Sequence, residues 1–573
     1  MKLHKYIIAL GVAALTLGMS SCVDDLNVDP NDPKLENSGM FPSDPDAYMD
    51  RVMADVYLQF ATYGANGDNT LTSMDGGMST FQRSIFNLEE IPTDEACWLP
   101  VGDAIDHEFQ YGTSGQVPAN TCNEGAYYRL ITNVAIINDF LQTSFGTLTE
   151  AQQAKFERFC RQARILRGAC YFYLIDLWGN VPYAGDDVKA GTVAPQLSSD
   201  FKEGRRLVFE KVTADLEEIV AWYKTNEPEN RPAYGYVGLD VAESLLVKFY
   251  LNAEVYTGTP RWADCYSHAE AIINRIGKPG IDGTGLARGY NQLFGADNRR
   301  FANTKDHMGE NIWIIPAQIA SVNNGVGLHS YANAVLMMHA WLAESPDAAT
   351  PWRISKAEYN TQQGWKCMVA RPQLVYTFDW DDATCGISPD RRTKFWKTSA
   401  HGFQLQGGDM SPDGYGSNGY PTVKYTNWYI DDNNNIDYAL SPDIDQFTEF
   451  TNNDYAMIRL AEIYLSAAEA ALNGGGTMEK ALEYTNYVRA RAGLDPYTNL
   501  NLPELYNERT RELYSECNRR TDLIRQNRWI SGYTWNYKGT SNINGQNYDE
   551  RFVVYPIPSS FIIRNGYTQN PQY

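Results

Sequence analysis

The sequence is poor in histidine, has no C-x-x-C pair, carries a deficit of positive charge and lacks any apolar run long enough to cross a bilayer. Seven histidines in 573 residues include no H-E-x-x-H and no pair at i, i+4, so the ligand spacing of a catalytic zinc is missing. Lys and Arg number 48 against 70 Asp and Glu, a formal charge of −22. That argues against nucleic acid, whose phosphates attract Lys and Arg patches, and against docking on anionic lipid. It leaves solubility and a neutral or cationic partner. The longest apolar stretch, Ile7–Leu17, is interrupted by Gly11 and Thr16 and falls short of the roughly 20 residues a membrane-spanning helix needs.

What is present begins with that stretch. Lys2 and Lys5 precede it, and Ser20, Ser21 and Cys22 follow, the charged start, apolar middle and small-residue exit of a secretory signal. An ordinary cleaved signal would leave Cys22 a bystander. "MSSC" instead resembles a bacterial lipobox, in which the thiol of Cys22 is lipidated and cleavage after residue 21 makes it the first residue. Three acyl chains, at about 0.8 kcal/mol per buried methylene, anchor far more firmly than one. Residues 22–40 are polar and proline-bearing and read as a flexible tether. Asp24 and Asp25 resemble the acidic export signal of surface-exposed Bacteroidetes lipoproteins. The remaining eight cysteines are expected mainly as small buried apolar residues.

Helical periodicity dominates 41–60, 122–276 and 454–530. In "RQARILRGACYFYLIDLWGNVPY", Leu166, Ala169, Cys170, Tyr173, Leu174 and Leu177 recur at i, i+3, i+4 spacing before Gly179 and Pro182, which predicts a helix stopped there. "DVAESLLVKFYLNAEVYTG" with "RWADCYSHAEAIINRIG", and "NDYAMIRLAEIYLSAAEAALNGGG" with "MEKALEYTNYVRARAGL", read as two helical hairpins at 240–276 and 454–491. "YLNAE" and "YLSAAEA" occupy matching places in them, so the pairs resemble tetratricopeptide repeats. Residues 60–120 and 280–450 are rich in Gly, Asn, Asp and aromatics and predict a large irregular face. No linker divides the rest, so 41–573 is expected as a single, mainly α domain.

The ordered motifs carry a resemblance. "NLEEIPTDEACW", "YYRLITNVAIIN", the helix ending "LWGNVPY", "GYNQLFGADN…ENIWIIP", "GW" at Gly364–Trp365, "DRRTKFW", "RLAEIYLSAAEA", "ERTRELYSECNRRTDLIRQNRW" and the terminal "YPIPSSFIIRNGYTQNPQY" are similar to those of the SusD/RagB outer-membrane lipoproteins of Bacteroidetes. The resemblance covers nearly the whole chain. It implies a SusD-like fold with four tetratricopeptide-like helix pairs. It also implies a lipid-anchored, surface-exposed place on the outer membrane, above a SusC-like TonB-dependent transporter, and capture of oligosaccharide for delivery to it. A peptide-binding member of the family is the alternative, and an all-helical glycosidase a more distant one.

Other chemistry is mostly set aside. "GYGSNG" at Gly414–Gly419 fits G-x-G-x-x-G, but no strand precedes it and Pro421 follows, so it reads as a loop. "DDNNNID" at Asp431–Asp437 has oxygen donors suited to surface Ca²⁺, yet Ile436 stands where the turn glycine belongs and no Glu closes the loop. No metal or other cofactor is predicted. A glycosidase needs two carboxyl groups about 5–10 Å apart across a cleft; Asp94 and Glu95 are adjacent and expected to diverge. Glu508, Glu512, Glu516 and Arg520, at i+4 steps, with Arg509, Asp522 and Arg525 nearby, predict an ion-pair lattice rather than a catalytic centre. No catalytic residue is assigned.

A sugar presents a flat C–H face, and stacking it on a Trp removes about 100 Å² of apolar area, at most about 2.5 kcal/mol. One ring is too little against the cost of association; two or three rings with hydroxyl partners are needed. Among 13 Trp and 38 Tyr, Trp98 is taken as the main platform, because the resemblance implies ligand contacts in the loop region around "TDEACW", with Arg83 as a hydroxyl donor and Tyr331 and Trp352, after "NIWIIP", as further platforms. Trp178 and Trp262 are assigned to packing. The anchor is directly checkable: Cys22→Ser is expected to give a folded protein that no longer fractionates with outer membrane, and a variant still membrane-bound without any partner would contradict it.

Overall fold

The computed structural model describes residues 44–62, 79–98, 120–189, 192–228, 231–277, 285–317, 359–360, 368–379, 388–394, 420, 422, 424–441, 452–540 and 542–573, with the backbone of short strands at 342–343 and 354–355. Cys22, Tyr331, Trp352, the Gly414–Gly419 motif and Gly364–Trp365 lie outside the described residues. The chain divides into residues 1–55, of which only the start of helix α1 (Pro45–Ala61) is described, and residues 56–573, which hold everything below.

Helices α2 (Phe81–Glu89), α3 (Thr121–Asp139), α4 (Glu150–Leu177), α5 (Phe201–Asn226), α6 (Leu239–Leu251), the short α7 (Ala253–Thr257) and α8 (Trp262–Ile276) follow in order. After the middle of the chain, with α9 (Pro372–Tyr376), come α10 (Leu460–Ala470), α11 (Met478–Ala492), α12 (Leu502–Leu513), α13 (Arg519–Arg525) and α14 (Ser559–Asn565). Packing runs continuously: α2 on α3, α3 on α4, α4 on α5, α5 on α6, α6 on α8, α8 on α10, and α10 on α11 and α12. The two hairpins separated by nearly 200 residues of sequence are therefore neighbours in space.

Local signals account for the helix ends. Thr149 and Gln152 form a reciprocal cap at the start of α4, and Gly179 leaves it with φ of 71°, a backbone region that glycine enters without a Cβ clash. Tyr250 on α6 stacks on His268 of α8, ring centres 5.7 Å apart, and Tyr464 on α10 packs on Tyr484 and Tyr487 of α11. Each tyrosine of the shared "YL" segment thus meets the second helix of its own hairpin. The "NGGG" run between α10 and α11 reflects a close approach: a Cβ on Gly475 would lie 2.3 Å from the Trp262 carbonyl oxygen.

Three expectations are corrected. The irregular stretch 60–120 contains α2, every residue of which is buried. The helix expected from residue 453 starts later, because Tyr455–Arg459 is strand β6, paired antiparallel with β2 (Asn311–Ile315); its five residues are all buried, which apolar periodicity alone does not distinguish from a buried helix turn. The helix expected to carry Glu508, Glu512, Glu516 and Arg520 at i+4 steps breaks between Leu513 and Arg519, where Ser515 and Cys517 have φ of 60° and 61°.

That break aims carboxylates and guanidiniums into the interior. Arg459 at the end of β6 reaches Glu310 (2.9 Å), Glu512 (2.9 Å) and Glu516 (2.7 Å). Arg491 of α11 bridges Glu310 and Glu512, and Arg392 joins Glu508 and Glu512. Lys424 pairs with Glu516. The expected lattice is present, and it is buried rather than superficial. Burial alone would raise the Glu512 carboxyl, but Arg491, Arg459 and Arg392 hold it down at about 2.

Arg459→Met leaves Glu310, Glu512 and Glu516 short of a buried partner, and such a loss typically costs about 3–5 kcal/mol. A depressed carboxyl contributes stability above its unfolded value, lost as pH falls through the folded one. Removing Arg459 raises the folded value, so acid unfolding of the variant, followed by circular dichroism, is expected to begin at higher pH than in the wild type.

Candidate functional site

The floor of the irregular face is assembled from three distant segments. Thr80 caps α2, its side chain accepting from the Arg83 N–H at 3.2 Å. The chain then turns through Glu90–Glu95 into β1 (Ala96–Trp98), which pairs antiparallel with Met368–Ala370, Trp98 opposite Met368. Ala370 bridges on to Tyr420, and α9 follows. Arg371, ahead of α9, donates to the Ala96 carbonyl at 2.8 Å and to that of Asn536. Lys538 stabilises the third segment, donating to the Arg528, Ile530 and Tyr533 carbonyls beneath the Trp535 and Tyr548 rings.

Trp98 and Arg83 are brought together, though not as an exposed pair. Trp98 is 4% and Arg83 0% exposed, and the guanidinium carbon lies 5.3 Å from the Trp98 ring centre. Arg83 Nε donates to Asn87 Oδ1 at 2.6 Å. The solvent-facing platform expected at Trp98 is therefore corrected: its strand is covered, and a cation occupies part of its π face. The acidic residues ahead of it, Asp94 and Glu95, are interior too. Trp178 is core as expected, its Nε1 donating to Asn123 Oδ1 at 2.7 Å, whereas Trp262 is half-buried.

Asp94 and Glu95 do not diverge. Both face Arg519 of α13, at 2.6 and 3.6 Å, and Tyr533 donates to Asp94 at 2.6 Å. Although burial opposes it, Arg519 keeps the Asp94 carboxyl below its usual range. Burial pushes Glu95 up to about 7; burial together with the Glu95 charge raises Glu90. Glu89 is pushed to about 8 by burial and by Asp176. These acids are sealed in, each 3% exposed or less, and offer no pair across an open cleft of the kind glycoside hydrolysis needs. Their role is to tie α2 and β1 to α13.

The "DDNNNID" segment closes on itself. Asp431 Oδ1 accepts the N–H groups of Asn433 and Asn435 at 2.9 and 2.8 Å, and Asp432 pairs with Arg300 at 2.8 Å. Among the described residues no cluster of three or more His, Cys, Asp or Glu is arranged to hold a metal, and no helix is long and apolar enough to cross a membrane. Cys97, Cys122, Cys170, Cys265 and Cys517 are buried free thiols, and Cys160 is half-buried.

One exposed ring adjoins the floor. Tyr376 closes α9 at 51% exposure, its hydroxyl 3.2 Å from that of Tyr420 and the two rings edge to face. On the same helix Gln373 donates to the Asn536 side chain at 2.8 Å. Tyr376 was not singled out in the sequence, where "PQLVYTF" reads as an apolar stretch. Only the short helix after Pro372 turns this ring outward. A second exposed aromatic, Tyr438 on Trp428, stands beside the 431–437 turn.

Residues 345–573 match the family model described as the SusD family. The starch-binding protein SusD of Bacteroides thetaiotaomicron is 27% identical over 602 aligned residues, covering 98% of this chain and 97% of that protein. A SusD-like protein of Bacteroides ovatus is 22% identical over 504, covering 84% and 81%. Among solved structures, surface glycan-binding protein A from Bacteroides uniformis matches with a TM-score of 0.61 at 18% identity, over 92% of this chain and 99% of that one. The Bacteroides thetaiotaomicron protein of the same name, in complex with laminarihexaose, matches with a TM-score of 0.60 at 18% identity and the same coverage. The resemblance read from the ordered motifs is borne out, and so is the mainly helical SusD-like fold.

The burial of Trp98 has a measurable consequence. Trp98→Ala is expected to destabilise the protein by about 3–5 kcal/mol, the usual cost of truncating a core Trp, as read by urea unfolding. A variant within about 0.5 kcal/mol of the wild type, as surface substitutions usually are, would show the ring to be outside the core.

Proposed function

We propose that this protein, a SusD-family chain, captures an oligosaccharide at the cell surface and passes it to a TonB-dependent transporter, without itself cutting it. The observation that carries the reading is the similarity over essentially the full length of both chains to a protein named for binding starch. A solved neighbour of the same fold bound to laminarihexaose supports the ligand class. The lipobox at Cys22 supports outer-membrane anchoring, and the family resemblance supports a SusC-like partner.

The site geometry is compatible with this task. Asp94 and Glu95 pair with Arg519, and Arg83 and Arg371 are held by amide and carbonyl oxygens, leaving a closed base rather than reactive groups. Tyr376 supplies an aromatic edge beside the Gln373 and Asn536 amides, the combination of flat apolar surface and hydroxyl-bonding groups that a sugar ring requires. Tyr331 and Trp352 remain proposed as further platforms, and Trp98 and Arg83 are reassigned to support of the floor.

Tyr376→Ala tests the site. It is expected to weaken binding of a starch or laminarin oligosaccharide about tenfold, equivalent to about 1.4 kcal/mol, in calorimetric titration. Because the ring is half in solvent, the melting temperature should hardly move. Unchanged affinity in a variant of normal stability would remove Tyr376 from the site. Failure of the wild type to bind any neutral oligosaccharide, with binding of peptides instead, would replace the glycan reading by the peptide one.

A further inference from the structure

The buried arginines of the lattice face carboxylates: Arg392, Arg459, Arg509, Arg519 and Arg520 each lie within 4 Å of at least one. Arg129, on α3, is different. It is 1% exposed, its Nε donates to the Ser79 carbonyl at 2.8 Å, and both Nη atoms are buried with no hydrogen-bond partner among the described residues. An enclosed cation without a counter-charge is costly, because desolvation is not repaid by any Coulomb attraction. Burial accordingly lowers the Arg129 guanidinium to about 10, with no carboxylate acting against it.

The place where it sits sharpens the point. Ser79 immediately precedes Thr80, the N-cap of α2. Thr80 serves the N–H groups of Arg83 and Ser84, so the first helical N–H groups, of Phe81 and Gln82, are left without a helix carbonyl. A helix N-terminus adds roughly half a positive charge. Two positive elements adjoin at the Ser79 carbonyl, and among the described residues no carboxylate pairs with Arg129, in a protein whose net charge is −22.

We propose that Arg129 and the N-terminus of α2 together enclose one small oxyanion: a carboxylate, sulfate or phosphate group. Two parallel N–H donors on one edge of a guanidinium match two oxygens of such a group, and the helix end supplies further donors. The oxyanion is either a free inorganic ion or an acidic group carried on a captured sugar. The near-complete enclosure of Arg129 favours the free ion, since a sugar ring attached to the group would need room beside it. Because α2 also carries Arg83 beneath Trp98, an anion at its start would lock the floor of the candidate site.

The test uses the full mature protein dialysed into chloride buffer. At equal ionic strength, sulfate or phosphate is expected to raise the thermal midpoint by on the order of 3 °C when well above its dissociation constant. Arg129→Met should lose that rise. Glucuronate against glucose forms the second arm; a rise with glucuronate alone assigns the oxyanion to an acidic sugar. No rise with any of these anions, or a full rise retained in Arg129→Met, overturns the site. If Arg129→Met does not fold, calorimetric titration of the wild type with sulfate decides: one site per chain is expected, and no binding overturns the proposal. Neutral oligosaccharide affinity, measured in the same samples, separates a failure here from a failure of the glycan reading.

Discussion

The structure depends on guanidinium–carboxylate pairing around the break between α12 and α13. Six residues from one short stretch, Glu508, Arg509, Glu512, Glu516, Arg519 and Arg520, are buried, and each reaches an element distant in sequence. Glu512 and Glu516 take Arg459 from β6; Arg509 takes Asp522 of α13 and lies beside Glu469 of α10; Arg519 and Arg520 face Asp94 and Glu89 from the start of the domain. Charges taken out of water add little net stability, since desolvation offsets the attraction. Their effect is on alternatives: a packing that leaves any one of them unpartnered is penalised by several kcal/mol.

This explains how a helical repeat scaffold carries a long insertion between α8 and α10. The insertion contributes Glu310, Arg392 and Lys424 to the same lattice, and β2 pairs with β6 at the root of α10. The irregular face is thereby fastened at several points along its sequence. Binding proteins commonly divide in this way between a rigid support and the residues it carries.

The same division places the aromatic residues. Trp98 lies where β1 meets α2 and is filled in from below by Arg83, while Tyr376 lies one strand and a turn further out and keeps a face to solvent. Trp529, Trp535 and Tyr548 form a separate core cluster that supports the 528–548 segment with Lys538 among them. Among the described residues most of the Trp rings therefore build the support. A minority, set by the last turn of backbone before each ring, is left for contact.

Helix content, the hairpin repeat, the stop at Gly179 and the family resemblance were all legible in the sequence. They rest on periodicity, glycine and motif order, which are local or ordered along the chain. The i+4 acidic series at Glu508, Glu512 and Glu516 also announced a lattice. Its burial, its partners and the break at Ser515–Cys517 did not show, because the partners come from residues 89 to 491 and only folding brings them together. For the same reason Asp94 and Glu95 looked like loop acids and Trp98 like an exposed platform: a side chain's solvent exposure is decided by what the rest of the chain places above it. The sequence by itself determined the elements and their repeat; the tertiary structure alone decided which charges are paired, which rings face water, and that Arg129 has no carboxylate of its own among the described residues.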